Sequence, residues 1–261
     1  MKELKSRILE LKYDNEFSKK ILMAEGIFNE IYSICGHTME YGCGSYLIGP
    51  DKYEYSIDMY PKQKLLYDKA KEANNILEVG TYMGHSLLIM LIANPNINIT
   101  TIDIEDKYSK PAVDYLKTQF QNANIKFIKG NSLDVLPKLY EKYDLFHVDG
   151  SHRNTVITEE FRYCKKLIHN NNFKIIFDDL DTCLTLNKNI STAYQIEDSQ
   201  TPDCIYRNHF INIKINSDSK IDKHENKKFS LVCNLSFIKE FPFRVIKYLL
   251  RKFTSLINIF K

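Results

Sequence analysis

The sequence predicts an α/β fold, a mostly parallel sheet with helices on both faces. Two observations carry that expectation. Five short apolar runs between residues 76 and 177 alternate with segments of helical periodicity, and parallel neighbours need crossover connections of that kind, right-handed almost without exception. Just past the carboxyl ends of these runs stand Gly80, Asp103, Gly130, Asp149 and Asp178, at the edge where open parallel sheets bind ligands.

In chain order, a helix over 62–74 precedes the first strand, Ile76 to Val79. The helix after Gly84 carries Leu87, Leu88, Met90, Leu91 and Ile92, and stops at Asn94-Pro95 because proline disfavours helical geometry in the residue before it. The β-branched run Ile99 to Ile102 is the second strand. A helix over 111–122 follows, burying Val113, Leu116 and Phe120. Ile125 to Ile128 is the third strand, with a short helix from Val135 to Tyr140. The fourth strand is Asp144 to Val148, the next helix spans about 155–168, and the fifth strand is Phe173 to Phe177. His209 to Ile213 and Phe229 to Cys233 are expected to close a sheet of seven, with Asn216 to Lys228 as a loop between them.

Three regions follow. Residues 1–60 form a helical and irregular lead-in, interrupted by Gly42, Gly44, Gly49 and Pro50, that serves as a lid or an extra packing layer. Residues 61–240 form the main domain, and 241–261 a basic terminal helix with Arg244, Lys247, Arg251 and Lys252. That helix suits packing on the domain or on a second subunit, so a homo-oligomer is an open expectation.

The net charge of +3 comes from 36 basic and 33 acidic residues that are largely interspersed. No field singles out nucleic acid as a partner. The six cysteines form no CxxC pair and lack zinc spacing with histidine, so reduced thiols are expected. The charged start lacks a secretory signal, and no segment has the ~18 apolar residues of a membrane span. The expectation is a cytoplasmic protein without stable membrane insertion.

Chemistry concentrates in Glu78-Val79-Gly80-Thr81-Tyr82-Met83-Gly84-His85-Ser86, which leaves the first strand and opens a helix. A helix amino terminus offers free N–H groups to a carboxylate or phosphate, and glycine allows close backbone approach. A dinucleotide turn needs GxGxxG, whereas Gly80 and Gly84 lie four apart around bulky Tyr82 and Met83.

This turn resembles the first motif of class I methyltransferases, particularly the branch of catechol-type and macrolide-sugar O-methyltransferases, whose version reads E-x-G-x-x-x-G-x-S. The resemblance covers about residues 60–180, with several motifs in the right order. It implies a seven-stranded, Rossmann-like sheet and S-adenosylmethionine as cofactor, bound by Glu78, Gly80, Thr81, Tyr82, Gly84, Ser86, Asp103, Asn131, Ser132 and Asp149. Asp103, ending the second strand, can accept hydrogen bonds from ribose hydroxyls in either a methyltransferase or a nicotinamide enzyme. Gly130-Asn131-Ser132 matches the family's adenine position, while a helix cap there is equally compatible.

Three carboxylates, Asp149, Asp178 and Asp179, end the fourth and fifth strands. Such hard oxygen ligands suit Mg2+ or Mn2+, and the resemblance implies a divalent ion there; Asp179 departs from the amide of the catechol type. His152, three residues after Asp149, stands where the catechol type places its catalytic lysine, and a histidine near neutral pKa can take the acceptor's proton. His85 and His147 are expected to be packing or loop residues. No D/N-P-P-Y/F motif of base methylation occurs, so the acceptor implied is a small-molecule or sugar hydroxyl. A nicotinamide-dependent oxidoreductase and a catalytically inactive cofactor-binding protein are the alternatives.

Overall fold

The computed structural model describes residues 15–40, 46–49, 52–178, 184–204, 206–216 and 220–236, with 218, 238 and 242. Among these lie two compact units, one within Met1–Cys183 and Ile196–Ile215, the other within Leu184–Gln195 and Asn216–Lys261.

The first unit holds a seven-stranded sheet. Its strands are β1 (Asn75–Val79), β2 (Asn98–Asp103), β3 (Asn124–Lys129), β4 (Leu145–Val148), β5 (Asn172–Phe177), β6 (Ile196–Gln200) and β7 (His209–Lys214). The order is β3-β2-β1-β4-β5-β7-β6. The first five are mutually parallel, whereas β7 runs antiparallel to both β5 and β6. From β1 the chain builds outward through β2 and β3, then returns to lay β4 on the other side of β1. The topological switch point, where a crevice opens beyond the strand ends, thus lies between β1 and β4.

Helices cover the sheet. In the lead-in are α1 (Glu16–Met23) and α2 (Glu25–Ile34), followed by α3 (Tyr60–Lys71), α4 (His85–Ala93), α5 (Ser109–Gln119), the short α6 (Ser132–Val135) and α7 (Asn154–Lys166). Every residue of α4 is buried, which explains its apolar run from Leu87 to Ala93. The described lead-in packs down: Phe17 meets the rings of Tyr60 and Tyr67, and Phe28 stacks on Tyr53 at 4.7 Å. Asn15 caps α1, its side chain accepting from the Ser18 N–H.

The second unit contains α8 (Leu184–Ala193) and a helix, α9, over 220–236. Here the structure corrects the expected strand at Phe229 to Cys233 and the loop before it. Phe229 packs on the Tyr194 ring, centroids 5.5 Å apart, while Leu231 is exposed. Phe229 is the one buried residue described between 220 and 236, and its packing on Tyr194 in a helix overrides the β-forming composition of the segment. The seventh strand is instead β6, whose sequence Ile-Glu-Asp-Ser-Gln has one apolar residue and a largely exposed surface. The basic segment 243–261 lies outside the described residues, as does Asp179. No described helix is long and apolar enough to cross a membrane.

Candidate functional site

Extra hydrogen bonds tie the chain together just past the strands: Gly80 N to Ile102 O, Gly130 N to Asp103 O, Asp149 N to Val79 O and Asp178 N to Val148 O, all between 2.7 and 3.0 Å. The residues singled out in the sequence therefore stand side by side along the carboxyl edge. A cavity of about 910 Å³ opens over them. Gly80, Thr81, Tyr82 and Ser86 line it from the β1 turn, and Asp103, Asn131 and Ser132 from the β2 and β3 ends. Asp149 and His152 line it from beyond β4, and Asp178 from beyond β5.

The turn after β1 is built by its neighbours. Gly80 has φ +93°, and a Cβ there would lie 2.1 Å from the carbonyl oxygen of Asp149. The glycine is thus required by the crossing backbone of the β4 end, a different reason from ligand approach. Tyr82 takes a left-handed φ of 46°, an arrangement that costs energy and needs external support. Asp103 supplies it: Oδ2 accepts from the N–H of Thr81 at 2.9 Å and of Tyr82 at 2.7 Å, while Oδ1 accepts from the N–H of Glu105 at 3.0 Å. Gly84, at φ +71°, starts α4.

Glu78, expected to touch the cofactor, is fully buried and does not line the cavity. It anchors the turn from below, accepting from Ser86 Oγ and Thr101 Oγ1, each at 2.6 Å. His147 Nδ1 lies 3.3 Å from the same carboxylate, and its Nε2 lies 2.9 Å from the Tyr46 hydroxyl. Gly84 likewise lies outside the lining; its place would be filled by a Cβ 3.2 Å from Leu116 Cδ1. His85 is buried against Tyr53, whose hydroxyl is 2.9 Å from Nε2, and burial pushes its pKa down to about 3. A group held neutral in this way packs and does not exchange protons at neutral pH.

At the β3 end, Asn131 caps α6 by accepting from the Leu133 N–H at 3.0 Å. Ser132 Oγ donates to Glu160 at 2.5 Å, and burial raises the pKa of that glutamate. Both residues remain part of the cavity wall. His152 is exposed in the segment after β4, with Arg153 beside it, and both line the cavity.

Tyr46, Met59 and Lys62 are among the cavity residues that carry no sequence signal of their own. Lys62 comes from the first turn of α3 and places Nζ 3.0 and 2.9 Å from the two carboxylate oxygens of Asp178. Both side chains are almost wholly buried, 3% and 6% exposed. The ammonium also lies 4.3 Å from the centre of the Tyr46 ring. Burial, with the nearby charges of Asp178 and Asp149, pushes the Tyr46 hydroxyl well above its ordinary pKa. Asp178 thus already holds a cation, and among the described residues no group of three or more acidic, histidine or cysteine side chains is disposed to bind a metal.

Residues 77–180 match the family model described as a methyltransferase domain. A catechol O-methyltransferase of Niastella koreensis is 28% identical over 101 residues, which cover 37% of this chain and 45% of that protein. The matched stretch thus spans less than half the length of that relative. Among solved structures, the O-methyltransferase from Bacillus cereus in complex with SAH superposes with TM-score 0.57 at 14% identity, covering 80% of this chain and 96% of that one. The O-methyltransferase TomG from Streptomyces achromogenes in complex with SAM gives 0.55 at 16% identity, over 83% and 100%. Residues 77–180 are thus similar to the methyltransferase-domain family, and the chain around them has the class I methyltransferase fold.

Proposed function

We propose that this protein is an S-adenosylmethionine-dependent O-methyltransferase acting on a hydroxyl of a small molecule or sugar. The observation that carries the proposal is the turn from Gly80 to Ser86, seated at the switch point and clamped by Asp103. Its relatives in sequence and fold include O-methyltransferases whose structures contain SAM or SAH.

The residues present fit the cofactor. The opening of α4 supplies N–H groups for an amino-acid carboxylate. Asp103 serves both the turn and the ribose hydroxyls, and Asn131 and Ser132 wall the adenine end. Gly80 and Gly84 shape the turn, and Glu78 holds it through Ser86. The cofactor supplies an activated methyl group. This chain's work is to hold the acceptor oxygen in line with it and keep water away, which is where most acceleration in such a transfer arises. Asp149 orients the acceptor at the β4 end, and His152 takes the hydroxyl proton on a ring nitrogen at the cavity mouth.

The test is release of S-adenosylhomocysteine from S-adenosylmethionine across a panel of phenols, sugars and other alcohols, with His152→Ala beside the parent. Turnover with at least one oxygen acceptor, reduced about 100-fold or more in the variant, is expected. Cofactor binding without turnover on any acceptor would favour a binding protein.

A further inference from the structure

We propose that Lys62 occupies the cationic position at the acceptor end of the cavity, and that no divalent ion binds between Asp149 and Asp178. This deepens the function proposed above, since it states what the acceptor oxygen meets. Sheet order separates the two ends: Asp103 ends β2 and Asp178 follows β5, with β1 and β4 between. At about 4.8 Å per strand these positions lie roughly 14 Å apart. Asp178 therefore belongs to the acceptor side.

Divalent ions of this class bind carboxylate oxygens at about 2.0–2.6 Å and need several such ligands. Both oxygens of Asp178 instead receive the Lys62 ammonium, at 3.0 and 2.9 Å, in a nearly dry setting. A metal seated on that carboxylate would have to displace the ammonium and leave it buried and unpaired, which the penalty for an uncompensated buried charge opposes.

The lysine has little freedom to withdraw. Pro61 fixes the start of α3, and Gln63 next to it donates to the carbonyl of Tyr46 at 2.7 Å and accepts from Tyr55 at 2.5 Å. Asn208 on the far side donates to the Tyr46 hydroxyl at 3.0 Å and to the Lys62 carbonyl at 3.3 Å. The same bonds hold the Tyr46 ring against the ammonium. A fixed positive group facing the cavity stabilises negative charge growing on the acceptor oxygen as its proton leaves, a task otherwise given to a metal.

The test titrates Mn2+ into the full chain, following the spin-resonance signal of the free ion, with and without S-adenosylhomocysteine. Calorimetry reports binding of the nucleoside separately, so failure of the cofactor reading shows there and not in the metal titration. The parent is expected to leave the Mn2+ signal as it is in buffer. Lys62→Gln is expected to create saturable Mn2+ binding that an added Asp178→Asn removes, and Lys62→Arg, which keeps the charge, to stay free of metal. Saturable binding by the parent that Asp178→Asn abolishes would overturn the proposal. So would a Lys62→Gln protein that binds the nucleoside yet takes up no Mn2+. If that variant does not fold, the parent's titration decides alone.

Discussion

The carboxylate of Asp103 reaches back across the sheet edge to place Oδ2 2.7 Å from the backbone nitrogen of Tyr82, a residue held at φ 46°. The same oxygen accepts from Thr81. One side chain therefore sets the shape of the turn after β1 as well as facing the cavity. Asp103→Ala removes two charge-assisted hydrogen bonds and frees a strained turn. Hydrogen bonds to charged groups contribute about 1.5–3 kcal/mol each, so S-adenosylhomocysteine should bind at least 10- to 100-fold more weakly by calorimetry. Unchanged affinity would show that the turn keeps its shape without the carboxylate.

The two glycines of the turn should respond differently to alanine. At Gly80 the new Cβ would meet backbone atoms of Asp149 and Gly150, at 2.1 to 2.9 Å. At Gly84 it would meet the flexible end of Leu116, at 3.2 Å. Gly84→Ala bears mainly the left-handed backbone penalty, about 1–2 kcal/mol. Gly80→Ala adds the collision and should cost about 3 kcal/mol or more. Urea unfolding of both variants checks the order, and equal losses would contradict the close approach of β1 and β4.

Acid stability should depend on His85. Its pKa falls from 6.5 to about 3 on burial, so between those values the unfolded chain binds a proton that the folded chain does not. Stability is then lost as pH falls below about 6.5, by up to about 1.4 kcal/mol per pH unit from this group. His85→Phe removes the contribution and should flatten the slope of unfolding free energy between about pH 6 and about pH 4. Parallel slopes in parent and variant would show that the imidazole is not excluded from water.

Much of the sheet was legible because buried parallel strands are continuous apolar runs, and β1 to β5 each lie within a residue or two of the expected segments. The edge was not. Ile196 to Gln200 is polar because β6 pairs on one side only and is largely exposed, while Phe229 to Cys233 has strand-like residues on a helix that buries Phe229 alone. The cavity wall divides in the same way. Gly80, Asp103, Asn131, Asp149 and Asp178 could be found because they follow strands. Lys62 and Tyr46 could not, since neither sits in a motif and their partners, Asp178 and Asn208, lie more than a hundred residues away. Glu78 was recognised for its position but not its role, because sequence cannot show that a carboxylate beside a glycine turn points into the core.

The turn after β1 is expected to accept S-adenosylhomocysteine and to refuse a dinucleotide. Calorimetric titration of the full chain with S-adenosylhomocysteine and, separately, with NAD tests it directly. Saturable one-to-one binding of the former, weakened in Asp103→Ala, and no heat from the latter are predicted. Saturable binding of NAD, or none of S-adenosylhomocysteine, would contradict it.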